Sequence, residues 1–544
     1  MFDRCGMIRG PGLKGKQVIM NDSIGNNQER NMNHKKRGAS KSGVVLIGAI
    51  ILFIGGVVLW SGCVQAQDMG EFEKRMTEFT LANGLKFLVL ERHEAPVVSF
   101  HTYADVGSVD EVKGITGLAH LFEHMAFKGT RTIGTKDYPA EARAMAKMDK
   151  AFAAIKVERA KAGGGDKARL EALQKQFEQA QQDEQKYLVH DEYEEAYARE
   201  GASGFNAYTS FDATQYVVSL PSNKVELWMS LESERFGNPV LREFYKEKNV
   251  VMEERRLGTE SSPQGRLWEE FMATAYKAHP YGEPIIGHMS DLQTLTRGEA
   301  EAFFKKYYGP ANLTIAIVGD VDPCEVRKLA EKHFGCIPGG PKPAAVETVE
   351  PPQGGERRVV VEDRAQPVVI IGYHKPSFND PNDAVFDAIA DIMGEGRTSR
   401  LYKSLVKEKK IAMAAYAFGG LPGNKYPGLF VFYVVPAKGH TTEECEEAVY
   451  AEIERLKSEP ASGEELEKAR TRSRAGLIRQ LASNDDLAAE LTFYEVISGD
   501  WRNMFRQLDK IDRVTADDIQ RVAAEYFTRK NRTVGVIETT ESGN

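Results

Sequence analysis

Leu90-Glu91-Arg92-His93-Glu94-Ala95-Pro96-Val97-Val98 reads as the end of a strand, a polar turn, a proline and the start of a second strand. The same order returns far downstream as Val361-Glu362-Asp363-Arg364-Ala365-Gln366-Pro367-Val368-Val369. A helix-like stretch follows each copy, the second from Ala384 to Met393. One short echo is weak by itself. With similar ordering on both sides it predicts two related α/β halves in one chain, an α+β architecture.

Working outward, Asn83-Gly84 marks a turn and Leu85 to Leu90 a strand, so Phe79 to Thr102 is expected to form paired strands. Leu313 to Val318 is an apolar run ending at Gly319-Asp320, which suits a buried strand. Val225 to Phe236 and Phe244 to Leu257 have helical spacing. Pro338 through Pro352 is dense in Pro and Gly, a linker. At 544 residues the chain is too long for one core. The boundaries expected are a leader at 1–66, a first domain at 67–337, a linker at 338–355 and a second domain at 356–544.

Residues 139–190 differ in texture. They are rich in Ala, Lys, Glu and Gln. Met145, Met148, Phe152 and Ile155 keep helical spacing, as do Leu170, Leu173 and Phe177, with Gly163-Gly164-Gly165 between the two sets. The segment reads as a helical hairpin inserted in the first domain. It is expected to be removable without loss of the site described next.

An apolar fraction of 42% and a charged fraction of 28% describe a folded protein. A net charge of -8 without long basic runs gives no support for nucleic-acid binding. Lys35, Lys36, Arg37 and Lys41 precede an apolar run from Val44 to Trp60, the pattern of an export signal or membrane anchor. Val64-Gln65-Ala66 resembles a cleavage site, and Ser61-Gly62-Cys63 a lipoprotein signal in which Cys63 carries lipid. Each outcome places the body outside the cytoplasm, in the periplasm or anchored to a membrane. Cys324 and Cys336 have the option of pairing.

His120-Leu121-Phe122-Glu123-His124 carries the chemistry. Two histidines four apart share one helical face, and Glu123 lies near it. Two imidazoles can hold a zinc ion while the carboxylate stays free to act as general base toward water at that ion. The order H-x-x-E-H is the inverted form of the commoner zinc-peptidase helix. A third ligand is best supplied by the acidic helix around Glu253. Glu254 suits direct ligation, and Glu247, two turns earlier, can hold a ligand histidine by its free ring nitrogen. Spacing alone does not separate Glu254 from Glu253.

These residues sit in stretches that resemble the pitrilysin/insulinase family of zinc metallopeptidases, in the bacterial branch related to mitochondrial processing peptidase. They are Gly117 through Thr130 around the histidine pair, Phe205-Asn206-Ala207-Tyr208-Thr209, Glu247 through Glu254, and Ala278-His279-Pro280-Tyr281-Gly282. The resemblance implies two homologous α/β domains forming half of a clam-shell chamber, and a peptidase with one zinc per chain. It implies His120, His124 and Glu254 as ligands, Glu123 as base and Glu247 as the supporting carboxylate. It further implies that the segment at Asn206 and Ala207 takes substrate peptide as an added strand. The alternative is a non-catalytic peptide-binding or scaffold subunit.

Two departures from the family matter. The interval from His124 to Glu254 is longer than usual, and the hairpin accounts for the excess. In the second half the family often carries an Arg and a Tyr that grip substrate. Here Lys407 and Ala414 stand in those places, with Tyr416 close by. Lys407 and Tyr416 remain candidate substrate-binding donors. One chain supplies one wall of a chamber, so a dimer is expected. A heterodimer with a related chain that lacks the zinc motif and carries the missing pair is favoured over a homodimer.

Overall fold

The computed structural model describes residues 70–540. Val44 to Trp60 and Cys63 lie outside the described residues.

Alternating apolar residues build two sheets. The first holds β1 (Met76–Thr80), β2 (Lys86–Glu91), β3 (Val97–Ala104), β4 (Ser203–Thr209), β5 (Thr214–Pro221) and β6 (Leu313–Gly319), in the spatial order β1-β2-β6-β3-β5-β4. The second holds β7 (Arg357–Asp363), β8 (Val368–Lys375), β9 (Ala412–Leu421), β10 (Gly428–Pro436) and β11 (Arg532–Thr539), in the order β7-β11-β8-β10-β9. With β1 set aside, the two orders coincide strand for strand. In each sheet the first strand is parallel to the last one made, β2 to β6 and β7 to β11. All other neighbours run antiparallel. The two echoed stretches are therefore the same connection, β2 to β3 and β7 to β8.

The expected pairing across 79–102 holds for β1 with β2 and fails for β2 with β3. β6 lies between them, because its residues are buried on both faces and claim a central place in the sheet. β11 does the same in the second half.

The helices that matter to the site are α1 (Leu118–Met125), α2 (Tyr138–Arg159), α3 (Lys167–Gln185), α4 (Val225–Gly237) and α5 (Phe244–Arg255). Those that join the halves or mirror the site are α6 (Pro263–Ala275), α7 (Asp383–Gly394) and α8 (Asn484–Ser498). The helical hairpin is present as α2 and α3, with Gly163, Gly164 and Gly165 turning the chain at positive φ.

Each sheet has one face covered by its own half and the other by a helix of the opposite half. Phe87, Val89, Ile315 and Ile317 pack on the first half's own helices. Their strand neighbours Leu88, Leu90, Ala316 and Val318 meet Leu487, Ala488 and Leu491 of α8. Conversely, Val368, Ile370, Leu429 and Val431 meet Leu267, Phe271, Met272 and Ala275 of α6. Residues 338–355 carry no regular structure, yet they are pinned. The Glu350 carboxylate accepts the main-chain N–H groups of Lys277, Ala278 and His279 at 2.8–3.1 Å.

Cys324 and Cys336 are both free and exposed. The pairing considered for them is ruled out by the helix Pro323–Phe334 that separates them. It rises about 18 Å, several times the Cα separation a disulfide allows.

Candidate metal centre

The site grows from α1. Gly117 enters this helix with φ of 88°, and a Cβ there would meet the Ile286 carbonyl oxygen at 2.6 Å, so glycine is required. The buried Glu111 carboxylate caps the helix, accepting from the N–H groups of Gly117 and Ala119 at 2.7 and 2.6 Å. Phe122 and Met125 face the core, which turns His120, Glu123 and His124 toward α5 and β4.

Nε2 of His120 lies 3.8 Å and Nε2 of His124 3.7 Å from Oε2 of Glu254. One donor atom from each of the three lies within 4.8 Å of the others. Glu254 turns toward both rings, whereas Glu253 pairs at the surface with Arg256 at 2.9 Å. Nδ1 of His124 is 3.5 Å from Glu247, whose other oxygen binds Lys128 at 2.6 Å.

Burial, with help from His124, pushes the His120 pKa down to about 3, so that ring is neutral, the state that ligates a metal. Burial also opposes charge on His124, but Glu247, Glu123 and Glu254 together outweigh it and raise its pKa. Glu247 is buried, which favours its neutral form, yet His124 and Lys128 hold its pKa down to about 2. Burial raises both Glu123 and Glu254. Two nitrogens and a carboxylate oxygen converging in this way fit a zinc ion with a position left open, and Glu247 behind His124 completes the support.

Glu123 stands beside the ligand set. Its Oε2 accepts a 2.7 Å hydrogen bond from the hydroxyl of Thr209, the last residue of β4. β4 is an edge strand of its sheet. Asn206 and Ala207, on that strand, line a cavity of about 360 Å³ together with His120, Glu123, His124 and Glu254. Leu188, Val189, His190 and Asp191, which follow α3, form another of its walls. Asp191 and Glu243, both lining the cavity, hold φ of 58° and 54°, a conformation that costs a non-glycine residue about 1–2 kcal/mol.

Lys407 and Tyr416 do not line this cavity. Lys407 is exposed on the π-helical turn Tyr402–Glu408. Tyr416 lies on β9 opposite Tyr433 and packs against the apolar cluster between the halves. Both belong to the half that does not carry the ligands.

The hairpin is not the removable arm that its sequence suggests. Arg242, just ahead of α5, is 2% exposed and its Nε binds Glu141 of α2 at 2.8 Å. The same guanidinium binds the carbonyls of Lys128, Thr130 and Ile133 beside the cavity. Glu184 of α3 accepts the N–H of Glu243 at 3.0 Å. Cutting out 140–189 would leave Arg242 buried without its carboxylate, a loss of about 3–5 kcal/mol.

Comparison with known proteins bears on the fold and the family. The family profile described as Insulinase (Peptidase family M16) matches residues 86–156 and 182–288, and that described as Peptidase M16 inactive domain matches 294–473. The chain belongs to the M16 family. Between the two matched stretches of the first half, 157–181 is unmatched, and it spans the end of α2, the glycine turn and most of α3. An M16 relative, the zinc protease PqqE of Helicobacter pylori, is 29% identical over 455 residues, covering 82% of this chain and 89% of its own. A crystal structure of a protease from Helicobacter pylori, 27% identical, superposes with a TM-score of 0.71 over 85% of this chain and 99% of that one. The periplasmic protease PqqL from Escherichia coli shares the M16 fold at a TM-score of 0.63 and 17% identity, with this chain spanning 48% of it. The mitochondrial-processing peptidase subunit beta of Lentinula edodes is 22% identical over 467 residues.

Sequence reasoning missed Thr209, Lys128, Glu111 and Arg242. Only Thr209 left a trace: strand alternation sets it two residues from Ala207, on the same face.

Proposed function

We propose that this chain is a zinc-dependent endopeptidase acting on peptides or extended protein segments. One observation carries the reading. His120, His124 and Glu254 converge, while Glu123 lines the same cavity, held outside the ligand set by Thr209. A zinc ion held by the three ligands, one per chain, would supply Lewis-acid polarisation of a scissile carbonyl and acidify a water. Glu123 then accepts a proton from the attacking water and returns it to the leaving amine. Glu247 keeps the His124 ring oriented. The outer edge of β4 offers main-chain pairing to an extended peptide at Asn206 and Ala207, which favours binding with little sequence demand.

Glu123→Gln tests this. The variant should keep zinc at the wild-type level and lose about 10²–10⁴-fold in hydrolysis of a mixed peptide library. Substantial hydrolysis by the variant would remove Glu123 from its role. A wild-type chain that binds zinc and peptide but cleaves nothing would favour the second reading, a non-catalytic peptide-binding or scaffold subunit. The match of 294–473 to an inactive-domain profile gives that reading its support.

Assembly and location complete the proposal. The two halves supply one wall of the chamber that the family resemblance implies, with Lys407 and Ala414 where the Arg and Tyr of the family would stand, so a partner related to this chain but bearing that pair is favoured over a second copy. The basic and apolar leader supports a body outside the cytoplasm, anchored through Val44 to Trp60, lipidated at Cys63 or released. The PqqL relative is described as periplasmic. Among the described residues no helix is long and apolar enough to cross a membrane. The domain boundaries 67–337 and 356–544 stand as part of the same proposal.

A further inference from the structure

We infer that Thr209 is a positioning residue that couples the substrate strand to the base. The inference rests on the peptidase reading above. Thr209 is 1% exposed, and its hydroxyl donates a hydrogen bond to Oε2 of Glu123 at 2.7 Å. Hydrogen bonds from a hydroxyl to a carboxylate are among the stronger kinds, and this one is shielded from water. It occupies one oxygen of Glu123, and the side chain otherwise lines the metal-site cavity. Without it, a glutamate with three rotatable bonds would keep only the Thr209 main chain as a hold, whereas a general base works only within a narrow range of positions.

The partner that supplies the bond is also significant. Thr209 is the last residue of β4, the strand whose Asn206 and Ala207 line the same cavity. The strand end is itself held. Thr209 pairs with Thr214 across the sheet, Ser210 closes the turn onto the Ala213 carbonyl at 2.8 Å, and the Tyr208 hydroxyl binds Gln215 on the opposite face at 3.0 Å. A peptide added to the outer edge of β4 extends this rigid unit. Its register on Asn206 and Ala207 is then transmitted through two residues of strand to the orientation of Glu123. Thr209 should therefore act on turnover and leave peptide affinity nearly unchanged.

The test uses the zinc-loaded full chain with Thr209→Val, which keeps the shape and removes the hydroxyl, and Thr209→Ser, which restores it. Thr209→Val should lose about 10–100-fold in kcat with KM within about threefold, and Thr209→Ser should stay within about threefold of wild type. Zinc content should be equal in all three. A Thr209→Val enzyme with wild-type kcat would overturn the inference, and so would a Thr209→Ser enzyme as slow as the valine variant. A second measurement does not depend on turnover. Melting temperatures of the metal-free wild type, Thr209→Val, Glu123→Ala and the double variant should be non-additive, because the two groups form one pair. Additive shifts would overturn the pairing. If the wild type hydrolyses no peptide while the melting cycle stays coupled, the peptidase reading fails and the Thr209–Glu123 pair stands.

Discussion

The two halves share a strand order, yet a helix in the same place does opposite things in each. In the first half α1 follows β3, turns His120, Glu123 and His124 toward a cavity, and reaches the edge strand β4 through the polar contact of Glu123 with Thr209. In the second half α7 follows β8 and is apolar where α1 is polar, with Val385, Phe386, Ile389 and Met393 buried. It reaches its edge strand β9 by close approach: a Cβ on Gly394 would meet the main-chain nitrogen of Ala417 at 2.0 Å. One scaffold has thus been filled twice. In one half the helix holds buried polar groups, which are costly unless something pairs with them. In the other it holds ordinary core.

That contrast can be broken by experiment, the largest effect first. Glu254→Ala should lower zinc affinity by more than about 100-fold, and Glu247→Ala by about 10–100-fold, the usual loss for an outer partner of a ligand. Glu253→Ala should leave zinc unchanged. Equilibrium zinc titration reads all three. A loss confined to Glu253→Ala would move the ligand by one residue and undo the assignment.

Gly394→Ala should do the reverse, lowering stability by about 1–3 kcal/mol through overpacking against Ala417 while zinc affinity stays at the wild-type value. Denaturant titration of the metal-free chain measures it. An unchanged midpoint would show that α7 does not bear on β9 as tightly as its glycine implies.

A further test is a pH slope from Glu490, on α8 beneath the first sheet. Burial pushes its pKa from 4.5 up to about 8. The folded chain keeps that proton to about pH 8, whereas the unfolded chain releases it near 4.5. Across that window the folded state binds more protons, so stability falls as pH rises. Glu490→Gln should flatten the fall in melting temperature between pH 5 and pH 8. An identical slope in both proteins would exclude Glu490 as its source.

Much of this was legible in the sequence because it is local. The echo around Pro96 and Pro367 marks one connection made twice, and H-x-x-E-H needs only a helix to gather its side chains. The neighbour of each echoed strand was not legible, since β6 and β11 arrive from the far end of each half. The same holds for Thr209 and Arg242, whose partners lie 86 and 101 residues away. The hairpin misled for a related reason. Its surface composition resembles a free arm, while the two carboxylates that tie it down, Glu141 and Glu184, look like any others in a charged helix.

The crossed helices have a consequence for synthesis. The back of the first sheet is closed by α8, at residues 484–498, so that sheet keeps an uncovered apolar face until α8 has left the ribosome. The second sheet has its cover, α6, waiting before its own strands exist. The half that carries the histidines therefore cannot cover its sheet with its own residues: it waits for a helix of the second half, whereas the second half meets its cover as soon as its strands form.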